Sequence, residues 1–189
     1  MAEVKIPVSI VGKSALLCHN PAMMGKGKSG PRGAKYIPTP EEEAEAGLYE
    51  QNGHFCFPGI GPRNALVSAA GAWKIKMAGS SRKVSARPLF ASIQPYPELV
   101  PILDVKTGKP LTKYEVDTRR AVVQKNGILR SRPVFKVWRL DFELLVDAED
   151  EEQLRQVLPE VLDYAGRRIG IGDYRPAKGG WFGRFERRG

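Results

Sequence analysis

The chain has 189 residues, of which 42% are hydrophobic and 27% charged, and this composition suits one folded domain. No apolar run approaches the roughly 18 residues needed to span a bilayer, and residues 1–11 lack a signal-peptide core, so a cytoplasmic protein is expected. The two cysteines, Cys18 and Cys56, are far apart in sequence, which argues against a disulfide framework and against a zinc site.

The N-terminal residues predict a strand, a long loop and a short helix. Residues 4–11 alternate apolar and polar side chains, which is typical of a half-buried strand. Residues 12–38 are rich in Gly, Lys and Pro and predict a loop. Thr39 can cap a helix in which Pro40 takes the first position, so a short acidic helix is expected through Ala46.

A hairpin and a second helix are expected next. The dipeptide at residues 52–53, Asn-Gly, favours a type I′ turn between short strands at Leu48–Glu50 and His54–Phe57. Pro62 then predicts the start of a helix that runs to about Lys76, because apolar residues recur along one side of it.

The middle of the chain predicts β structure. Residues 83–105 suggest short strands interrupted by prolines, which favour the edges of a sheet. Residues 114–123 and 128–132 predict the two arms of a long basic hairpin joined near Asn126 and Gly127.

The C-terminal third predicts a buried strand, an amphipathic helix and a last short strand. Apolar residues alternate over 134–146 and then recur at helical spacing over 154–165. Pro159 inside the helical pattern allows a kink or break. A glycine-rich segment follows and leads to a strand near residues 182–186.

This order of elements predicts an α+β fold with a ferredoxin-like βαββαβ core, as in RRM-like (RNA-recognition-motif-like) proteins. We expect residues 1–189 to form a single RRM-like domain with two insertions. The first, at residues 12–60, contains the loop, short helix and small hairpin, and the second, at residues 106–132, is the basic hairpin.

The positive charge is segregated along the chain, whose net charge is +9. Residues 63–140 carry sixteen basic and four acidic side chains, whereas residues 141–163 carry nine acidic and one basic. Such a basic block attracts polyanions, and no basic amphipathic helix indicates a membrane, so a nucleic-acid partner is predicted. The expected binding residues are Lys13, Lys26, Lys28, Arg63, Arg82, Lys83, Arg87, Arg119, Arg120, Lys125, Arg130, Arg132, Arg175, Lys178 and Trp181.

The glycine-rich segment adds aromatic side chains to this charge. Its glycines are expected to let backbone N–H groups approach phosphates, with Arg175 and Lys178 supplying positive charge. Tyr174 and Trp181 are expected to stack on bases, as aromatic residues do in single-strand binders.

Motifs for catalysis and for metal binding are incomplete. Residues 25–29 read GKGKS, but Ala22 stands where a P-loop needs its first glycine, and Gly-Pro follows where a helix should begin. His19 is a candidate general base, although a structural histidine at the end of a strand is the simpler interpretation. The acidic run at 147–152 lacks the ligand spacing of an EF-hand. We therefore expect no enzyme activity, no cofactor and no metal.

Two segments at opposite ends of the chain carry a family resemblance. Near the C-terminus, Gly170-Ile171-Gly172 is followed after a spacer by Phe182-Gly183-Arg184-Phe185, just before the expected last strand. Near the N-terminus, residues 10–20 (IVGKSALLCHN) place a glycine, a serine and a Leu-Leu step after a strand. These patterns resemble the RAMP superfamily, in particular the RRM-like backbone subunits of CRISPR effector complexes and stand-alone phage-encoded relatives.

The resemblance implies an RRM-like core, a thumb-like hairpin at 106–132 and side-by-side assembly along single-stranded RNA or DNA, in a prokaryotic cytoplasm or in the host cytoplasm for a phage protein. It also implies an alternative, a metal-independent RNA endonuclease with His19 as its base. The early acidic residue of some target-RNA-cleaving subunits has no counterpart in residues 12–38, which contain neither Asp nor Glu. A phage structural or scaffold protein is a third alternative.

Overall fold

The structure is a computed structural model, and it describes residues 2–21, 37–76, 81–123 and 126–188. The strands are β1 (Glu3–Gly12), β2 (Leu16–Leu17), β3 (Tyr49–Gln51), β4 (His54–Pro58), β5 (Lys74–Lys76), β6 (Lys83–Ser85), β7 (Gln94–Tyr96), β8 (Leu99–Leu103), β9 (Glu115–Val123), β10 (Asn126–Phe135), β11 (Arg139–Asp147) and β12 (Phe185–Arg187). The helices are α1 (Pro40–Glu45), α2 (Ile60–Ala70), α3 (Arg87–Ser92) and α4 (Glu151–Tyr164). The predicted α+β class is therefore confirmed.

The main sheet has the strand order β12-β1-β11-β8-β4-β3, and β7 is an additional partner of β11. All of its pairs are antiparallel. Helix α2 lies between β1 and β8 in sequence, and α4 connects β11 to β12. Because β11 separates β1 from β8 and β1 separates β11 from β12, each of these connections passes over one intervening strand.

The core lies where the helices pack against this sheet. Along β11 every second side chain is buried, as the alternating pattern predicts for a strand with one covered face. Leu140 and Leu144 of β11 are fully buried in the same cluster as Leu154 and Val161 of α4. No helix within the described residues is long and apolar enough to cross a membrane.

Local turn and cap signals correctly predict the elements between β1 and α2. The Thr39 hydroxyl accepts a hydrogen bond from the Glu42 N–H, and the Glu42 carboxylate accepts one from the Thr39 N–H, which completes a capping box. Asn52 and Gly53 take positive φ angles of 54° and 75°, as a type I′ turn requires. The predicted loop at 12–38 includes the short strand β2, and its residues 22–36 lie outside the described part of the chain.

Two predictions near α2 and α3 are wrong. Helix α2 ends at Ala70 instead of running to Lys76, because Lys74–Lys76 forms β5 and pairs with β6. Within the stretch predicted to contain only short strands, α3 forms with Pro88 in its first turn, where a missing N–H costs no helical hydrogen bond.

The predicted basic hairpin is present and longer than expected. Strands β9 and β10, together called the thumb hairpin below, pair from Glu115 opposite Val134 to Val123 opposite Asn126. The base of β10 also pairs with β2, so these three strands form a second sheet. The prediction of one continuous strand over 134–146 is wrong, because the chain leaves this second sheet after Phe135 and enters the main sheet at Arg139.

Helix α4 continues through Pro159 without a break. The irregularity appears at its C-terminal end, where Ala165–Ile169 forms a π-helical turn. A Cβ atom on Gly166 would overlap the Phe185 carbonyl, so glycine allows this turn to lie directly against β12. Gly170, with φ of 69°, ends this π-helical turn.

Candidate nucleic-acid interface

The two glycine-containing segments at the ends of the chain meet in the structure. The loop at residues 170–184, called the glycine-rich loop below, lies along β2 and the residues before it. The Gly183 N–H donates to the Ala15 carbonyl at 2.8 Å, and the Asp173 N–H donates to the Leu17 carbonyl at 3.0 Å. Segments more than 150 residues apart in sequence therefore form one substructure.

The glycines of this loop serve close backbone packing. Gly172 and Gly183 have φ angles of 75° and 63°, and a Cβ on Gly183 would overlap the Ile171 carbonyl oxygen. The N–H groups of Gly170, Gly179 and Gly183 all donate to carbonyls of the protein itself. The backbone donors of these three glycines are thus already used within the protein and do not face a phosphate.

Three thumb arginines lie on one face of the hairpin, because Arg119 is directly opposite Arg130 and Arg132 is two residues further along β10. Each of the three is paired with a carboxylate. Arg119 Nη2 lies 2.6 Å from Asp117 Oδ2, and this hydrogen-bonded pairing raises the pKa of the guanidinium. Arg130 Nη1 lies 2.7 Å from Glu43 Oε1 of α1.

Arg132 is the most deeply buried of these arginines. Its Nε lies 2.7 Å from Asp173 Oδ2 of the glycine-rich loop, although the N–H is not directed along that line, and neither Nε nor Nη1 makes a well-aligned hydrogen bond within the described residues. Its guanidinium also lies 5.3 Å from the centre of the Tyr174 ring. A buried cation of this kind is held by its ion pair and by cation–π attraction.

Aromatic side chains of the loop complete the contact with the thumb hairpin. The Arg119 guanidinium lies 4.5 Å from the Phe182 ring centre and 5.6 Å from that of Trp181. The Tyr174 hydroxyl donates to the Arg120 carbonyl at 2.8 Å. Arg119 and Arg120 therefore differ as strand alternation predicts: Arg119 is half-buried against the loop, and the Arg120 side chain is exposed.

Trp181 is the exposed aromatic residue of this region, with 62% of its surface accessible. It stacks on Phe182, with ring centres 5.6 Å apart and planes inclined by 27°. Ser14 anchors the adjoining backbone, since its hydroxyl donates to the Trp181 carbonyl at 2.8 Å and accepts from the Arg184 N–H at 3.0 Å. The Lys13 N–H donates to the Arg184 carbonyl at 2.8 Å, which places Lys13 beside Arg184.

We call Trp181 together with Lys13 and Arg184 the Trp181 surface. All three side chains are exposed. Lys13 Nζ lies 3.2 Å from the Glu186 carboxylate, but both side chains are more than half exposed, so water and salt weaken this pair. Sequence reasoning missed Arg184, although its position inside the Phe-Gly-Arg-Phe motif was a usable signal.

The remaining predicted residues divide between structural and exposed positions. Arg63 donates from Nε to the Ile93 carbonyl at 3.0 Å and from Nη2 to the Ala91 carbonyl, so it fixes the C-terminal end of α3. Arg175 Nη1 donates to the Gly172 carbonyl at 2.9 Å. The exposed positions are Arg82, Lys83, Arg87 and Lys178. Lys26, Lys28 and Lys125 lie outside the described residues.

His19 borders a cavity of about 270 Å³ between α2 and the glycine-rich loop. Its Nδ1 atom is buried and has no hydrogen-bond partner within the described residues. Burial raises the pKa of the Cys18 and Cys56 thiols, which favours their neutral form at pH 7. The described residues contain no cluster of three or more side chains suited to a metal ion.

The helices cover one face of the main sheet, and on the other face most charged side chains pair with one another. Lys5 Nζ lies 2.8 Å from the Glu143 carboxylate, and Asp141 accepts hydrogen bonds from Ser9 at 2.6 Å and from Arg139. Burial opposes ionisation of Asp141, but these two hydrogen bonds together hold its pKa below the ordinary value. Tyr96, at 51%, is the exposed aromatic residue on this face.

No protein-family model matches the chain, and no curated protein matches its sequence. The resemblance to the RAMP superfamily therefore rests on the two glycine-containing segments and on the order of the elements.

Proposed function

We propose that this protein binds single-stranded nucleic acid, RNA or DNA, without catalysing a reaction on it, and that the Trp181 surface beside the thumb hairpin is the principal contact. The observation that carries this proposal is the exposed Trp181, which stacks on Phe182. Its backbone is joined through Ser14 to the segments that carry the exposed Lys13 and Arg184. An aromatic ring stacks on any base and is worth about 1–3 kcal/mol per base, while neighbouring cations attract phosphates.

We propose further that the core is ferredoxin-like and RRM-like. In such a core the four strands, numbered along the chain, lie in the order 4-1-3-2, with helices after the first and third. Taking β1, β8, β11 and β12 as these strands gives the order β12-β1-β11-β8, with α2 and α4 at the two helical positions. This agreement supports a relationship to the RAMP superfamily, as does the contact between its two signature-like segments.

Assembly side by side along the strand is part of the proposal. The acidic block at 141–163 includes the exposed or half-exposed first turn of α4, and the basic block at 63–140 includes the exposed Arg87 and Arg120. Opposite charges on two different surfaces favour head-to-tail contacts between copies, which produce open filaments unless the rotation closes a ring.

Fluorescence anisotropy with labelled single-stranded RNA and DNA oligonucleotides of about 20 nucleotides tests the binding. We expect affinity at low salt that falls steeply as salt is added, because counterions are released. We expect Trp181→Ala to weaken binding roughly 5-fold to 100-fold, as the loss of a stacked base predicts.

Tyr96→Ala is the matched control, because it removes a similarly exposed aromatic ring from the open face of the main sheet. It should leave affinity nearly unchanged. Absence of binding at low salt, or binding insensitive to salt, would refute the proposed function. A larger loss in Tyr96→Ala than in Trp181→Ala would move the binding site to the open sheet face.

A second candidate function, metal-independent RNA cleavage, is favoured by the position of His19 at a cavity that also includes Tyr49 and Arg175. A general base there would need access to the substrate, and Nδ1 is buried. Labelled RNA incubated with a chelator separates the two functions. Cleavage that His19→Ala abolishes would establish the nuclease, and cleavage unchanged by His19→Ala would exclude it.

The third alternative, a structural or scaffold protein whose charge mediates contacts between subunits only, makes a different prediction. Sedimentation of the nucleic-acid-free protein would then show the same assemblies as sedimentation with oligonucleotide. Our proposal instead predicts that large assemblies form only when single-stranded nucleic acid is added.

A further inference from the structure

A second basic surface lies on the two-stranded sheet formed by β5 and β6, which we call the lysine ribbon. Lys76 is directly opposite Lys83, and Lys74 is opposite Ser85. Because side chains alternate along a strand and opposite residues share a face, Lys74, Lys76, Lys83 and Ser85 all lie on one side. All four are exposed, whereas Ile75 on the other side is half-buried against the core.

The three lysines have no carboxylate partner within the described residues, unlike the three thumb arginines. Like charges directly opposite each other on a sheet destabilise it. The ribbon thus holds Lys76 opposite Lys83 at a cost in folding free energy, and neither lysine forms an ion pair within the described residues that would offset it. An anionic partner would remove that cost.

The ribbon is attached to the rest of the protein through groups other than its lysine side chains. The Gln153 side-chain amide of α4 donates to the Lys76 carbonyl at 2.7 Å. Trp73, just before β5, donates from its indole to Glu160 at 2.9 Å, and its ring meets that of Tyr164 edge to face at 5.1 Å. The backbone that carries the lysines is therefore anchored before any ligand arrives, so binding needs to order only their side chains.

We infer that the lysine ribbon binds the sugar-phosphate backbone of a nucleic acid, as a contact separate from the Trp181 surface. Lys74 and Lys76 are about 7 Å apart along their strand, comparable with the separation of successive phosphates. The outer face presents ammonium groups and a hydroxyl without an aromatic ring, a set that fits phosphates and does not read bases. This inference rests on the proposed nucleic-acid binding.

The test compares two triple variants that remove the same charge from different places. The first is Lys74→Gln, Lys76→Gln and Lys83→Gln. The second, the control, is Lys106→Gln, Lys109→Gln and Lys113→Gln, three lysines that are also exposed and lie between β8 and β9. Anisotropy with a single-stranded oligonucleotide is measured from about 50 to 200 mM salt, because phosphate contacts make the affinity fall steeply over this range.

If the ribbon contacts about three phosphates, the ribbon variant should reduce the slope of log affinity against log salt by about 2, since each contact on a single strand contributes about 0.7. The control variant should reduce it much less. Equal reductions in both variants would mean that only net charge matters and would overturn the inference, as would an unchanged slope in the ribbon variant.

Two further outcomes separate this inference from the proposed function. If the wild-type protein binds and Trp181→Ala weakens binding while the ribbon variant matches wild type, the ribbon inference alone fails. If the wild-type protein does not bind at low salt, both fail.

A changed sedimentation coefficient of the nucleic-acid-free ribbon variant would assign the lysines to contacts with a second copy of the chain and would also overturn the inference. Thermal melts should show that both variants fold.

Discussion

The thumb hairpin and the lysine ribbon are both basic, antiparallel and two-stranded, but their charges are in opposite situations. In the thumb hairpin, Arg119, Arg130 and Arg132 are each paired with a carboxylate and lie against α1 or the glycine-rich loop. In the lysine ribbon, Lys76 faces Lys83, and none of the three lysines forms an ion pair within the described residues. A high count of basic residues can therefore reflect charges that are paired within the fold, or exposed charges that remain free to bind a partner.

The residue types agree with this division. A guanidinium is planar, weakly hydrated and able to pair with a carboxylate and an aromatic ring at once, as Arg119 does with Asp117 and Phe182. An ammonium is a strongly hydrated point charge that suits exposed contacts with phosphate. Arginine thus makes the contacts that hold the thumb hairpin against the rest of the protein, and lysine supplies the exposed charges of the ribbon.

The largest effect should come from the backbone of the loop that holds the thumb hairpin. Gly183→Ala forces a side chain into a φ of 63° and into the Ile171 carbonyl, so we expect a loss of about 3 kcal/mol or more in unfolding free energy. Gly179→Ala has a similar φ of 77° with open space around it and should cost only about 1 kcal/mol. Urea denaturation measures both, and equal losses would show that the close contact with Ile171 is unimportant.

Removing a paired charge should cost more than removing an unpaired one. Arg132→Met leaves Asp173 without its buried partner, and because the Asp173 side chain is 32% exposed we expect about 2 kcal/mol of destabilisation, less than for a fully buried pair. Lys83→Met, on the ribbon, should change stability by no more than about 0.5 kcal/mol. Denaturant midpoints compare the two, and similar losses in both variants would contradict the division drawn between the regions.

The elements that could be predicted from the sequence are those determined by residues close together in the chain. The Thr39 cap and the turn at Asn52 depend on residues within three positions, and both form as predicted. The burial and ion pair of Arg132 could not be predicted in this way, because its partner Asp173 is 41 residues later in the chain. Neither could the Ser14 anchor, whose partners Trp181 and Arg184 lie near the other terminus.

The lysine ribbon was hidden by an error in secondary structure. A helix continued to Lys76 would place Lys74 and Lys76 about 200° apart around its axis, on different sides. Only the pairing of β5 with β6 brings them to one face with Lys83. The break in the helical pattern at Gly71, followed by a β-branched residue between two lysines, was the available signal.

A double-mutant cycle on the Glu43–Arg130 pair tests the contact between α1 and the thumb hairpin. Glu43 is 12% exposed and also accepts a hydrogen bond from the Ser131 N–H, whereas Arg130 is 38% exposed. We therefore expect a coupling energy of about 1 kcal/mol between Glu43→Gln and Arg130→Met, between that of a surface pair and that of a buried one. Additive losses would mean that Glu43 acts through the Ser131 amide alone.

The smallest effect has the opposite sign. Lys76→Glu converts the like-charged pair with Lys83 into an opposite-charged one, so we expect a gain of a few tenths of a kcal/mol, up to about 0.5, which salt should diminish. The same variant should bind single-stranded nucleic acid more weakly, since it places a carboxylate where a phosphate is expected to lie. A gain in stability accompanied by a loss of binding is typical of residues kept for function at the expense of folding. If Lys76→Glu destabilises the protein, the two lysines are not in electrostatic conflict, and the contrast between ribbon and thumb hairpin loses its basis.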